Sequence, residues 1–187
     1  MNSKMLFAFV LAANICAITV TAEVYSYKVN VRMADKEFDS HEGKLKISVT
    51  SKNAQNTTQE DFELTPNDVE MKKDKNYTAI ISSTAPLDTI TSVYLQWTRE
   101  APNDTDSASN KPTLYFESVS LTSFKFRPHP DFCICVSRYF CPETTPIGIE
   151  HAGGATFNFC NSRKVFSLYR YYEVRSVKDL KEAECSM

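Results

Sequence analysis

The clearest pattern in the chain is a strict alternation that begins at Tyr25. Tyr25, Tyr27, Val29, Val31 and Met33 fall on one face, and Ser26, Lys28, Asn30 and Arg32 on the other. A period of two belongs to a strand with one face buried and one in water. Leu45, Ile47 and Val49, interleaved with Lys44, Lys46 and Ser48, repeat it after a polar turn containing Gly43. Phe62 and Leu64 mark a short third strand before the Pro66-Asn67-Asp68 turn, and Tyr77 to Ile81 a fourth. Ile90 to Thr98 is a fifth, with Val93, Leu95 and Trp97 inward. Leu114 to Phe126 supplies one or two more, and Thr156 to Cys160 and the segment around Tyr171 to Val177 complete the set. No helix longer than two turns is required, although Val177 to Cys185 allows a terminal turn. Seven or eight short strands punctuated by turns predict an all-β fold, an antiparallel β-sandwich.

Two stretches break the pattern. Arg99 to Pro112 is a polar loop without an apolar anchor. Arg127 to Gly154 gathers three cysteines and four prolines, and is expected to be an inserted, irregular lobe held by disulfides rather than by a core.

Before the first strand, Met1 to Ala22 has one positive side chain, Lys4, and an apolar run from Met5 through Ala13 that continues less purely to Ile18. Val20-Thr21-Ala22 then supplies the small and β-branched residues of a cleavage site. The segment, interrupted by Asn14, reads as a secretory signal peptide and not a membrane span. Residues 23–187 then form one domain, expected to be secreted, extracellular and without a transmembrane segment. Removing Cys16 leaves Cys133, Cys135, Cys141, Cys160 and Cys185, which in a secreted chain are expected in disulfides. Five is odd, so one is free, bound elsewhere, or joined to a second molecule as a disulfide-linked dimer. Sequons at Asn56, Asn76 and Asn103 are candidate glycosylation sites on surface loops or strand ends.

Charge and composition narrow the function. The chain has 21 Lys+Arg against 23 Asp+Glu, so it lacks the basic footprint of a nucleic-acid binder. Four glycines, Gly43, Gly148, Gly153 and Gly154, make no P-loop, dinucleotide fingerprint or G-x-S-x-G elbow. Among three histidines, His41 follows a charged run and reads as a solvated turn, His129 is held between Pro128 and Pro130, and His151 precedes Ala152-Gly153-Gly154 without an adjacent nucleophile. No triad can be assembled, and the chain is not expected to be an enzyme. Cys133, Cys135 and Cys141 with His129 and His151 are ligand types for zinc, but their spacing is not that of a C-x-x-C knuckle and oxidation competes. No cofactor is expected. Calcium at Asp35, Glu37, Asp39 and Glu42 is the weaker alternative to a solvated turn. The candidate binding residues are Phe132, Ile134, Arg138, Tyr139 and Phe140, because aromatic rings beside arginine suit either a protein interface or a lipid-facing loop tip.

Tyr25-Ser26-Tyr27-Lys28-Val29-Asn30-Val31 resembles the opening of the C-terminal domain of the pancreatic lipase and lipoprotein lipase family, a PLAT-type β-sandwich. Leu87 to Trp97 is similar to that family's acidic residue and apolar run ending in a core tryptophan, and Phe157-Asn158-Phe159-Cys160 with Cys185 to its closing cysteine pair. The resemblance spans Val24 to Cys185 and implies a PLAT-like sandwich without the hydrolase domain, with Cys160 paired to Cys185. Cys141 then pairs with Cys133 or Cys135, since positions two apart on a strand rarely bridge one another. The loop Arg99 to Pro112 departs from lipoprotein lipase in carrying no tryptophan. The implied function is a secreted, non-catalytic module that docks a lipid or lipoprotein surface, or a lipase or its cofactor protein. The alternative is an extracellular protein-interaction or structural factor on the same sandwich, without lipid binding.

Overall fold

In a computed structural model, residues 23–37, 41–65, 69–98, 113–126 and 132–168 are described. Ten strands follow in order: β1 Tyr25–Met33, β2 His41–Lys52, β3 Thr57–Glu63, β4 Val69–Met71, β5 Asn76–Ser83, β6 Ile90–Thr98, β7 Thr113–Phe126, β8 Phe132–Cys141, β9 Ile147–Glu150 and β10 Gly154–Leu168. The only helical element among the described residues is a 3-10 turn at Leu87–Thr89. None of their helices is long and apolar enough to cross a membrane.

The alternation seen in the sequence is the alternation of burial. Tyr27, Val29, Val31 and Met33 of β1 are buried without exception, as are Leu45, Ile47 and Val49 of β2 and Val93, Leu95 and Trp97 of β6. Trp97 lies in the core, as its inward position predicts. It packs directly against Gly43, where an added Cβ would collide with the indole Nε1.

All strand pairs are antiparallel, in the hydrogen-bonded order β3-β2-β6-β10-β8-β7-β1-β5, with β4 on β2 and β9 on β7. β10 joins the two halves by changing partner along its length. Gly154 to Asn158 pair with β6, and Asn158 to Leu168 pair with β8. The sheet folds over on itself, because strands far apart in this order share one core. Val29 of β1 and Ile47 of β2, well separated in the strand order, belong to the same buried cluster. The result is an all-β, sandwich-like architecture.

The two ends of the strand order are fastened by side chains. Glu60 of β3 accepts hydrogen bonds from the Thr84 amide, at 3.0 Å to Oε1, and from the Thr84 hydroxyl just beyond β5. At the other end of β5, the Tyr77 hydroxyl donates to the Glu70 carbonyl of β4 and accepts from the Lys72 amide, at 2.9 and 2.8 Å.

Two expectations about the architecture are overturned. The stretch from Arg127 to Gly154 is not an irregular lobe: its described part contributes β8, inside the sheet between β7 and β10, and β9. β8 is held by backbone ladders on both sides, from Val119–Phe126 on one and Asn158–Leu168 on the other. His41, expected in a turn, begins β2 opposite Met71. β4 has no counterpart among the expected strands, having three residues and a single buried one, Met71. The strand and turn expected after Tyr171, and the loop at 99–112, lie outside the described residues.

Candidate binding surface on strands β8 and β10

Along β8, the inner face carries Arg138 and Phe140, and the outer face Ser137, Tyr139 and Cys141. Phe140 is fully buried, in register with Val119 of β7 and Phe159 of β10. That corrects its place among the exposed binding candidates. A central strand with a neighbour on each side has an inner face that belongs to the core, and Phe140 is on it.

The consequence is felt one strand over. Phe159 has the same inward parity as the buried Phe157, but it comes just before a register shift between Phe159 and Asn161 that makes Cys160 an extra residue. A bulge of this kind bends its strand and re-aims the side chains around it. Phe159 sits at the margin of the core, edge-on to Phe140 at 6.3 Å between centroids, and is 42% exposed. The Arg138 guanidinium lies over its ring, 3.9 Å from the centroid. Arg138 Nη1 donates to the Asp88 carbonyl at 2.7 Å, which fixes the guanidinium plane. Its Nε is buried and has no hydrogen-bond partner among the described residues. Burial lowers the guanidinium pKa from its ordinary value, with the Asp88 charge opposing, so Arg138 is a partly desolvated cation stacked on an exposed ring.

On the outer face the same two strands form an open groove of about 430 Å³. Tyr139, Ser118, Asn161, Ser162 and Arg163 line it around a disulfide, Cys141–Cys160. This bond corrects the expected pairings of Cys160 with Cys185 and of Cys141 with Cys133 or Cys135. The register explains it. Cys141 is opposite Asn158, the bulge brings Cys160 alongside, and the Cα atoms stand 5.8 Å apart, within disulfide reach. Cys135 is disulfide-bonded as well. The side chains of Cys133 and Cys185, on which a link to a second chain would depend, lie outside the described residues.

Of the five anticipated binding residues, the structure places Arg138 beside Phe159 on one face of β8 and Tyr139 in the groove on the other. Ile134 is half-buried farther along the strand, Phe140 is core, and the Phe132 side chain lies outside the described residues. Phe159, Asn161 and Arg163 belong to the surface but not to the residues expected there. Phe159 continues the inward alternation of Phe157, and nothing in the residue order marks the bulge that exposes it.

The other candidate chemistries are dispersed. Between Asp35 and Glu37 stands the Lys73 ammonium, at 4.0 and 3.4 Å, while Glu42 is on β2 opposite Glu70 and Asp39 lies outside the described residues. Cys135 and Cys141 are committed to disulfides rather than to zinc. His151 is edge-on to Trp97 at 5.7 Å, and His129 lies outside the described residues. Among the described residues no three His, Cys, Asp or Glu side chains converge as a metal site would require. Asn56 and Asn76 are both exposed, the first in the β2–β3 turn and the second opening β5, and Asn103 lies outside the described residues.

No protein-family model matches the sequence. No curated protein matches it either. Solved structures with a similar chain path include crystal structures of LOX. One, an anaerobic structure in complex with arachidonate, is 13% identical with a TM-score of 0.45, and another reaches 0.46 at 13% identity. In each the match covers 74% of this chain but only 17% of the LOX chain.

Proposed function

We propose that this protein is a secreted, non-catalytic binding module that docks a protein partner through the surface around Phe159 and Arg138. The observation that carries this reading is the exposed Phe159 ring under the Arg138 guanidinium. Interface centres draw their affinity from aromatic and arginine side chains whose geometry is already fixed, since little entropy remains to be lost on docking. Here the ring is fixed by Phe140 and the guanidinium by the Asp88 carbonyl. On the opposite face, the described lining of the groove offers the hydroxyls of Ser118, Tyr139 and Ser162 and the Arg163 guanidinium as polar contacts for docking.

The lipase-tail resemblance makes an extracellular lipase, or a protein cofactor of one, the partner class to try first. The test titrates such purified proteins against the full chain and its Phe159→Ala variant, alongside flotation with phosphatidylcholine vesicles and lipoprotein particles. Binding to a protein partner that weakens at least about tenfold in the variant, without flotation, is the expected result. Flotation of the parent that is lost in the variant would replace the protein partner with a lipid surface. Binding unchanged by Phe159→Ala would clear this surface of the role.

A further inference from the structure

Two sequons, Asn56-Thr57-Thr58 and Asn76-Tyr77-Thr78, occupy matching places at the two ends of the strand order. β3 starts one residue after Asn56 and ladders with β2 alone among the described residues; β5 starts at Asn76 and ladders with β1 alone. Among the described residues both strands are therefore edges, with backbone donors and acceptors that can take up a strand from another chain. Proteins blunt such edges with charge, proline or a covering segment. β3 carries Glu60, Asp61 and Glu63, which repel a second copy of itself. β5, Asn-Tyr-Thr-Ala-Ile-Ile-Ser-Ser, has no charge and no proline, and its Ile80 is 61% exposed. The side-chain contacts at Tyr77 and Thr84 fasten only its two ends.

Asn76, Thr78 and Ile80 alternate onto the outer, exposed face of β5. At a strand rise of about 3.3 Å per residue, Ile80 is about 13 Å from Asn76, within the cover of a bulky, hydrophilic glycan. We propose that an N-linked glycan on Asn76 guards the β5 edge against strand pairing between copies of this chain, with Ile80 the apolar residue that it screens. The modification joins the Asn76 Nδ2 to the anomeric carbon of an oligosaccharide carried on a lipid diphosphate. The N–C bond forms as the C–O bond to the diphosphate breaks, the diphosphate leaves with the electron pair, and the amide gives up one proton. The glycan guard rests on the secreted reading of the chain.

The experiment expresses the full chain in secreting animal cells and maps glycans on peptides from the medium. The folded glycoprotein is then trimmed enzymatically to one sugar per site and compared with the untrimmed form by sedimentation over a concentration series. The expected result is glycan on Asn76 and a shift from monomer to non-covalent dimers on trimming, reversed by Ile80→Lys. Trimming the folded protein avoids reliance on Asn76→Gln, a variant whose failure to fold would be uninformative. Secretion with Asn76 unmodified would overturn the proposal alone, and retention of an unglycosylated chain in the cell would overturn it together with the secreted reading. A trimmed protein that stays monomeric, or association that persists with Ile80→Lys, would also overturn it.

Discussion

Tyr27 shows how much one atom can carry in this fold. Its ring is buried in the core, stacked parallel to Tyr25, and its hydroxyl donates to the Ala85 carbonyl at 2.6 Å across 58 residues of chain. Tyr27→Phe keeps the ring and leaves that buried carbonyl without its donor, a loss of about 1–2 kcal/mol in urea unfolding. The same burial raises the phenol's pKa well above its ordinary value, so ionisation opposes the fold. This contribution to stability is complete below the unfolded value of 10.0 and is lost as pH rises toward the folded one, because the unfolded tyrosine ionises first. The alkaline decline should be smaller in Tyr27→Phe, and an identical decline would show that Tyr27 is not its source. Ala152 makes the opposite case. It turns the chain between β9 and β10 with φ at 59°, a region that favours glycine. Ala152→Gly relieves that strain and gives back part of the gain as unfolded-state entropy. A net stabilisation of about 0.5–1 kcal/mol is expected in the same assay.

At the level of the element, β8 and β10 set the limit of what is legible in the sequence. β1 and β6 are legible to within a residue, because their inward positions are all large and apolar and their outward positions mostly polar. β8 alternates too, but its other face carries cysteines, of which Cys135 is itself buried, and Arg138 interrupts the inward Ile134, Val136 and Phe140, so the contrast between its faces is weak. Prolines on both sides complete the impression of a loop. The bulge at Cys160 leaves no trace in residue order, and it hides both the exposure of Phe159 and the Cys141–Cys160 bond. That bond joins positions 19 apart in sequence on strands already laddered together. Its main effect therefore falls on the unfolded chain, where the closed loop is worth about 3 kcal/mol in the entropic account. Cys141→Ser/Cys160→Ser should fold with its ladder intact and lose about that much in denaturant unfolding. A loss below about 1 kcal/mol would mean that the unfolded chain already keeps β8 and β10 together.

For the whole molecule, the question is how an open strand order stays folded over on itself. The shared hydrophobic core holds the two halves together; no backbone ladder joins β3 to β5 among the described residues, and there the Glu60 side chain adds hydrogen bonds from Thr84. Partial burial pushes the Glu60 carboxyl up, but hydrogen bonds from Ser83 and from the Thr84 hydroxyl and amide outweigh it and hold the pKa below the ordinary carboxylate value. A carboxyl depressed in the folded state stabilises it above the unfolded value, here 4.5, and that contribution disappears as pH falls through the folded pKa. Glu60 is half-exposed, so solvent screening limits the effect to about 0.5–1 kcal/mol. Glu60→Gln keeps an acceptor for Thr84 but removes the charge, and with it the acid-sensitive part. Melting temperatures of parent and variant should therefore differ near neutrality and converge as the pH falls below about 4. Asp61, whose carboxyl is also depressed, by a hydrogen bond from Ser48, is common to both proteins and cancels from the comparison. Parallel curves for the two proteins across that acid range would show that the link between β3 and the end of β5 does not run through the Glu60 charge.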